Sequence, residues 1–350
     1  MIKRTWAKLR APLDAQTKLI IDASKAQAEA LSRVLDEQRQ TNALLAELLG
    51  LNHGVSQSIS RLEGSMTQVA AVAIEAKATQ QSVIEKGLTP IRNDLGKIRA
   101  ATDNIRAAAM SSIYADMTEH MLSKQLGLLE TLRKISSDRM SLARYGDGEM
   151  RMMTRIDFSV PFQRNSYELM SDLRRVILEP ADNILIGMPH MYLDHHWATV
   201  FAETWASLKP SLASLEVFAN SHVSRPVMFG AFGQQAIDEW RKIWADREVL
   251  VVTGEGSRFG LSEALFSSAS SIRSVYSTPQ EAFHDIPRVL ELVADSPEDL
   301  VLISLGPAGT ILANEIAKMG KQALDIGHLS SSYENVLNKG AFPEATPVRK

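Results

Sequence analysis

The chain has 350 residues, a formal net charge of −3 and no cysteine. Its length exceeds one typical domain, and its charge offers no basic excess for a nucleic-acid partner. The missing thiols exclude disulfides, zinc–thiolate sites and cysteine nucleophiles, and they suit a reducing, cytoplasmic setting.

The first residues, MIKRTWAKLRAPLDAQTKLII, are basic but hold neither a continuous apolar stretch nor a small-residue cleavage site. No signal peptide is expected. No run approaches the ~18 apolar residues that a membrane span needs. Ile2, Trp6, Leu9 and Leu13 do fall at helical spacing beside Lys3, Arg4, Lys8 and Arg10. That pattern allows peripheral contact with a membrane surface, although Pro12 interrupts it and favours a frayed terminus.

Residues 14–110 contain almost no strand-like pattern. Apolar residues recur at alternating steps of three and four through Leu31, Val34, Leu45, Leu48, Val55, Ile59, Leu62, Met66, Val69, Ala73, Ala76 and Val83. Gln38, Thr41, Asn52 and Gln80 are polar positions of the same seam. A seam kept over about eight heptads predicts a coiled coil, and through it a homo-oligomer. The Leu51–Gly54 stretch, with Gly54 as a C-cap and Ser56 as a new N-cap, keeps an intramolecular helical hairpin as the alternative. Pro90 is expected to break the pattern, and a second phase follows through Ile91, Leu95, Ile98, Thr102 and Ile105.

From about residue 115 the pattern changes. A helix over Ala115–Ile135 leads to an apolar stretch, Met140–Tyr145. Strand-like runs follow at Asn183–Met188, Glu216–Ala219, Glu248–Thr253, Ser274–Ser277, Asp299–Leu305 and Gln322–Ile326. Helix-like segments lie near 166–179, 231–245, 259–269, 281–294 and 309–319. Alternating strands and helices predict an α/β domain with a parallel sheet covered on both faces. The expected division is a helical region over 1–110, the α/β domain over 111–340 and a tail over 341–350.

Ligands of such sheets sit at the carboxyl ends of the strands. The first strand ends in Arg144-Tyr-Gly146-Asp147-Gly148-Glu149, where two carboxylates one residue apart can face one cation and Gly148 leaves room for a phosphate. Hard oxygen donors of this kind suit Mg²⁺ or Mn²⁺. The fourth ends in Gly254-Glu255-Gly256-Ser257-Arg258 and is expected to open a helix, a geometry that binds phosphate. The sixth ends in Leu305-Gly306-Pro307, and the last in Asp325-Ile-Gly-His328.

The run Ser141-Leu-Ala-Arg-Tyr-Gly-Asp-Gly-Glu-Met150 resembles the signature of GT-D-type glycosyltransferases. The likeness continues in order through His222-Val-Ser-Arg225-Pro226, Gly254-Glu-Gly-Ser-Arg258 and Pro279-Gln-Glu281-Ala-Phe283. It ends with Leu305-Gly-Pro-Ala-Gly-Thr310 and Ala323-Leu-Asp-Ile-Gly-His328. The resemblance implies a Rossmann-like fold, a divalent cation (Mn²⁺ or Mg²⁺) and a UDP-sugar donor. It implies Asp147 and Glu149 as metal ligands. By the same likeness Arg144, Gly146, Gly148, Arg225, Gly254, Ser257, Arg258 and Gly306 bind the nucleotide sugar, and Asp325, His328 and Glu255 are catalytic candidates. The implied acceptor is a protein or glycan, as in bacterial surface glycosylation. Two acids usual in the family after Gly-His are Ser330 and Ser332 here, and Glu281 replaces a usual Asn.

Departure of a nucleoside diphosphate builds negative charge, which a cation, an arginine or a helix N-terminus would stabilise. Two other readings compete. A dinucleotide-dependent oxidoreductase would use Gly254-x-Gly256, but its fingerprint needs an acid at the next strand end, where this chain has Tyr276-Ser277-Thr278. A coiled-coil scaffold carrying a degenerate transferase domain would account for the two missing acids.

Overall fold

The computed structural model describes residues 54–346 and, before them, scattered positions between 22 and 40. The expectations for the basic N-terminus and for much of the seam before residue 54 lie outside the described residues, whereas Gly54 and Ser56, expected as a C-cap and a new N-cap, both lie within one helix. Two compact units divide between Thr102 and Asp103.

In the first unit helix α1 (Gly54–Val83) runs through a π turn (Ile84–Leu88) into α2 (Thr89–His120). Pro90 does not break the helix. A proline there lacks an N–H and crowds the carbonyl four residues back, and the wider π turn lies at that point. Gln80 Nε2 donates to Ser24 Oγ at 3.2 Å, which joins residues 56 apart in sequence.

The second unit is built on a seven-stranded parallel sheet in the order β3-β2-β1-β7-β6-β4-β5. The strands are β1 (Ser141–Arg144), β2 (Ile184–Met188), β3 (Ala219–Asn220), β4 (Glu248–Gly254), β5 (Ser271–Ser277), β6 (Leu300–Ser304) and β7 (Gln322–Asp325). Every predicted strand is present. Side chains along them alternate between two cores: Leu250, Val252, Val301 and Ile303 enter one, and Val249, Val251, Leu300 and Leu302 the other. Burial on both faces is why these strands read as unbroken apolar runs.

Helices cover each face. The first core takes the second half of α2 together with α4 (Asp147–Thr154), α5 (Tyr167–Leu178), α6 (His195–Leu212), α9 (Ile286–Ala294) and α10 (Pro307–Lys318). The other takes α3 (Leu128–Ser137), α7 (Pro226–Phe232), α8 (Gln234–Trp244) and α11 (Leu329–Leu337). Three expectations change. The helix predicted over Ala115–Ile135 is two helices, because the chain leaves α2 to bridge Gln125 to Phe218. The helix predicted over 259–269 is a single turn, Glu263–Phe266. Helices α4, α6, α7 and α11 were not foreseen. No described helix is long and apolar enough to cross a membrane.

Candidate active site

Strands β1 and β7 are neighbours where the two halves of the sheet meet, paired through Leu142 and Leu324. Their carboxyl ends therefore lie side by side, at the position where open α/β sheets bind ligands. Arg144 closes β1 and Asp325 closes β7. The Arg144 guanidinium donates to the Asp325 backbone oxygen (2.7 Å) and lies 3.3 Å from its carboxylate. Its other nitrogen donates to Ser224 Oγ (2.7 Å) and Ser221 O (3.1 Å). Burial pushes the Asp325 carboxyl up, and Arg144 pulls it back. Gly327 has φ +43°, and a Cβ there would run into the Arg144 guanidinium.

The Asp147-Gly-Glu149 triplet forms the first turn of α4 rather than a loop. Acids favour that position because backbone N–H groups and the helix dipole face them. Residues two apart on a helix do not face one another, and the two carboxylates have different surroundings. Glu149 Oε2 accepts the Gly146 N–H at 2.8 Å, capping the helix. Burial, and then the nearby Asp325 charge, raise its pKa to about 7. The Asp147 side chain is 45% exposed, with Arg151 at 3.8 Å and His196 Nε2 at 3.1 Å. Asp147 is thus in ion-pair contact, whereas Glu149, among the described residues, is not. His196 comes from α6, which Asp194 caps through the Trp197 N–H. That Asp was the overlooked signal for this helix.

Gly148 lies against Val160 inside α4, so its missing side chain serves packing at that contact. A Cβ on Gly306 (φ +55°) would meet the Phe162 ring at 2.6 Å, and Gly306 precedes Pro307 at the start of α10. Thr310 of that helix donates to the Arg144 carbonyl (2.8 Å), tying α10 to β1.

A second cluster holds two arginines expected at the donor. Arg225 donates to Glu344 Oε1 (2.6 Å), lies 3.2 Å from His328 Nδ1, and stacks on Phe342 at 5.9 Å. Arg258 donates to the Glu344 backbone carbonyl at 2.9 Å. Burial, and then Arg225, lower the His328 pKa to about 4, so the ring is neutral near pH 7. Glu344 carries no motif, and nothing in the sequence announced it. The Gly254–Gly260 segment does not open a long helix as expected. Gly256 (φ +63°) turns the chain, and Ser257 Oγ bonds Thr253 Oγ1 at 2.6 Å. Glu255 is exposed on this loop.

Ser330 and Ser332 are buried, and their hydroxyls have no partner. His222 lies edge-on to Tyr192 (5.0 Å) and Trp197 (5.3 Å), and its pKa falls to about 3 through burial and then Arg225. Among the described residues, no three His, Asp or Glu side chains converge to hold a metal. A Mg²⁺ or Mn²⁺ ion that keeps waters and takes phosphate oxygens needs only one or two carboxylates, and exposed Asp147 fits that mode.

The model of the family described as "Glycosyltransferase GT-D fold" matches residues 142–342. The chain is 32% identical over 239 residues to "Glycosyltransferase GlyD" of Streptococcus pneumoniae, covering 62% of this chain and 29% of that one. It is 26% identical over 227 residues to "Probable glycosyl transferase Gly" of Streptococcus gordonii, covering 60% and 32%. The chain thus spans about a third of the length of these relatives. A solved structure described as "The highly conserved domain of unknown function 1792 has a distinct glycosyltransferase fold" aligns with TM-score 0.58 and 25% identity, over 66% of this chain and 87% of that one. A glycosyltransferase structure from Streptococcus sanguinis aligns with TM-score 0.55 at 22% identity, over 62% and 85%, a likeness of fold. With more than half its residues matched, the chain belongs to the GT-D glycosyltransferase family.

Proposed function

We propose that this chain transfers a sugar, from a nucleotide-sugar donor of the UDP-hexose class, to a hydroxyl of a protein or glycan acceptor. The observation that carries the reading is the convergence of Arg225 and Arg258 on Glu344. Arg225 on the Glu344 carboxylate and Arg258 on its backbone carbonyl are two guanidinium groups set around one cluster of acceptor oxygens, and a diphosphate offers several such oxygens. In this reading Glu344 holds the cluster closed, and the donor displaces it.

The remaining residues divide the work. Arg144, fixed by Asp325, Ser221 and Ser224, directs positive charge toward the β1–β7 crevice, and Gly327 makes room for it. Asp147 is the place for Mn²⁺ or Mg²⁺, and Glu149 would join it as the second carboxylate only on releasing the Gly146 N–H. When bound, that cation neutralises charge on the departing diphosphate. Asp325 is engaged by Arg144, and His328 is held neutral beside Arg225. Exposed Glu255 is the carboxylate left to take the acceptor proton. The oxidoreductase reading loses support, since the Gly254 loop opens only a single helical turn.

Calorimetry with UDP in the presence of Mn²⁺ tests the reading. Removing one charge-assisted contact costs ~1.5–3 kcal/mol, so Arg225→Ala and Arg258→Ala should each weaken binding about tenfold to a hundredfold. Glu344→Gln should tighten it. Asp147→Ala should remove the Mn²⁺ dependence. If both arginine variants bind UDP like the parent chain, the donor site lies elsewhere.

A further inference from the structure

Beside Asp147 stands a group of rings that the donor reading leaves unused. Three segments bring them together at the carboxyl ends of β2 and β3: the loop 189–194, the first turn of α6 and the 3₁₀ turn Ser221–Ser224. Trp197 rests on buried Phe201, with 5.6 Å between ring centroids. Tyr192 continues this wall at 6.0 Å, and His222 stands edge-on to Trp197 (5.3 Å) and to Tyr192 (5.0 Å). Trp197 and Tyr192 are half-buried, so each keeps part of its surface open. His196, which reaches Asp147, is edge-on to Trp197 at 5.5 Å. Next to His222, the Ser221 carbonyl accepts from Arg144. The rings thus lie between the acid assigned to the cation and the arginine of the β1–β7 crevice.

The polar atoms of this wall are unfilled. Trp205, Trp240 and Trp244 donate their indole N–H groups to the Asp116 carboxylate, the Val223 carbonyl and the Leu265 carbonyl. The Trp197 indole N–H has no acceptor among the described residues. His222 Nδ1 is buried and has no partner either. A buried nitrogen in that state costs free energy unless something fills the place beside it. Aromatic packing accounts for the ring contacts but not for the orphaned imidazole. The ring is neutral near pH 7, so one nitrogen donates and the other accepts. A pyranose matches both features. Its C–H face suits the negative face of an aromatic ring, and its hydroxyls both donate and accept.

We infer that Tyr192, Trp197 and His222 form a subsite for a pyranose ring, an inference that rests on the glycosyl-transfer reading. Trp197 supplies a stacking face and an N–H donor, and His222 bonds a ring hydroxyl. The hexose of the donor and a sugar of the acceptor share this chemistry.

Calorimetry on the full chain with Mn²⁺ compares UDP with UDP-glucose, UDP-galactose and UDP-N-acetylglucosamine. NMR titration follows the methyl glycosides of the same three sugars, with and without UDP. The variants are Trp197→Leu, Trp197→Phe and Tyr192→Leu, each checked for an unchanged melting temperature. UDP itself is expected to bind them as it binds the parent chain. Trp197→Leu should lose about tenfold or more in affinity for a UDP-sugar or for a glycoside, the first assigning the ring to the donor and the second to the acceptor. Trp197→Phe keeps a stacking face and should lose less, and with Tyr192→Leu it decides the matter if the leucine variant of Trp197 does not fold. An equal loss for UDP alone would give the rings to the uracil, and no loss in any arm would leave them as packing. Either result overturns the inference. Failure of the parent chain to bind UDP would sink the donor reading instead, while the glycosides still decide this one.

Discussion

Glu149 illustrates how one placement sets several properties. As the third residue of α4 it returns to cap Gly146, and this draws the carboxyl inward beside Asp325. Its pKa rises from 4.5 to about 7. Between those values the folded chain keeps a proton that the unfolded chain releases, so this residue's contribution to stability is largest below pH 4.5. It falls as pH rises to about 7, by up to ~1.4 kcal/mol per pH unit. Glu149→Gln keeps an acceptor for the Gly146 N–H but cannot ionise. Melting temperatures measured from pH 4 to 8 should show the variant gaining on the parent chain up to about pH 7, with no further gain above it. A constant difference across that range would mean that Glu149 stays ionised in the fold.

At the scale of elements, the sheet was legible because a strand buried on both faces must be apolar at every position. Runs such as Val249–Val252 and Leu300–Ile303 are too short for a buried helix and too uniformly apolar for a half-exposed strand. The short helices at the strand ends were not legible. Helix α4 begins on Asp-Gly-Glu, which reads equally as a turn, and α7 starts at a proline after a 3₁₀ turn. The residues assigned by likeness lie at the strand ends, but their partners do not follow from spacing: His196 from α6, Ser221 and Ser224 from the β3 turn, and Glu344. Glu281 shows substitution without loss of geometry. It sits at φ +55°, where Asn is favoured, and its carboxylate accepts from Gln163 Nε2 (2.9 Å) and the Arg164 N–H (3.0 Å). The turn after β7 yields a sharper test. A methyl group at Gly327 meets both a positive φ and the Arg144 guanidinium, so Gly327→Ala should cost ~2 kcal/mol or more in urea unfolding. It should also displace Arg144 and weaken UDP binding. A variant as stable as the parent would show that Arg144 is not held where the β1–β7 crevice needs it.

The whole molecule joins a helical unit to a catalytic-type α/β unit through the single helix α2, and the place where one ends matters for any attempt to separate them. The sequence change predicted a boundary at residue 110. Met110 is only 5% exposed and Met117 fully buried, both in the core that packs one face of the sheet. Asp116 is held by the Trp205 indole N–H and by Lys209, each at 2.7 Å, which fixes this part of α2 to α6. The second unit therefore needs α2 from about Asp103 onward. A chain comprising residues 103–350 should fold, melt cooperatively and bind UDP with Mn²⁺, because every residue assigned to the donor lies in it. A chain comprising residues 111–350 loses the Met110 side chain and the turn that presents it. Truncating one buried methionine costs ~2–5 kcal/mol, a large fraction of the ~5–15 kcal/mol that holds a typical domain together. The shorter chain should melt several degrees lower, or fail to stay soluble. Equal stability of the two truncations would move the boundary back to residue 110. An insoluble 103–350 chain would mean that the helical unit and the α/β unit share a core.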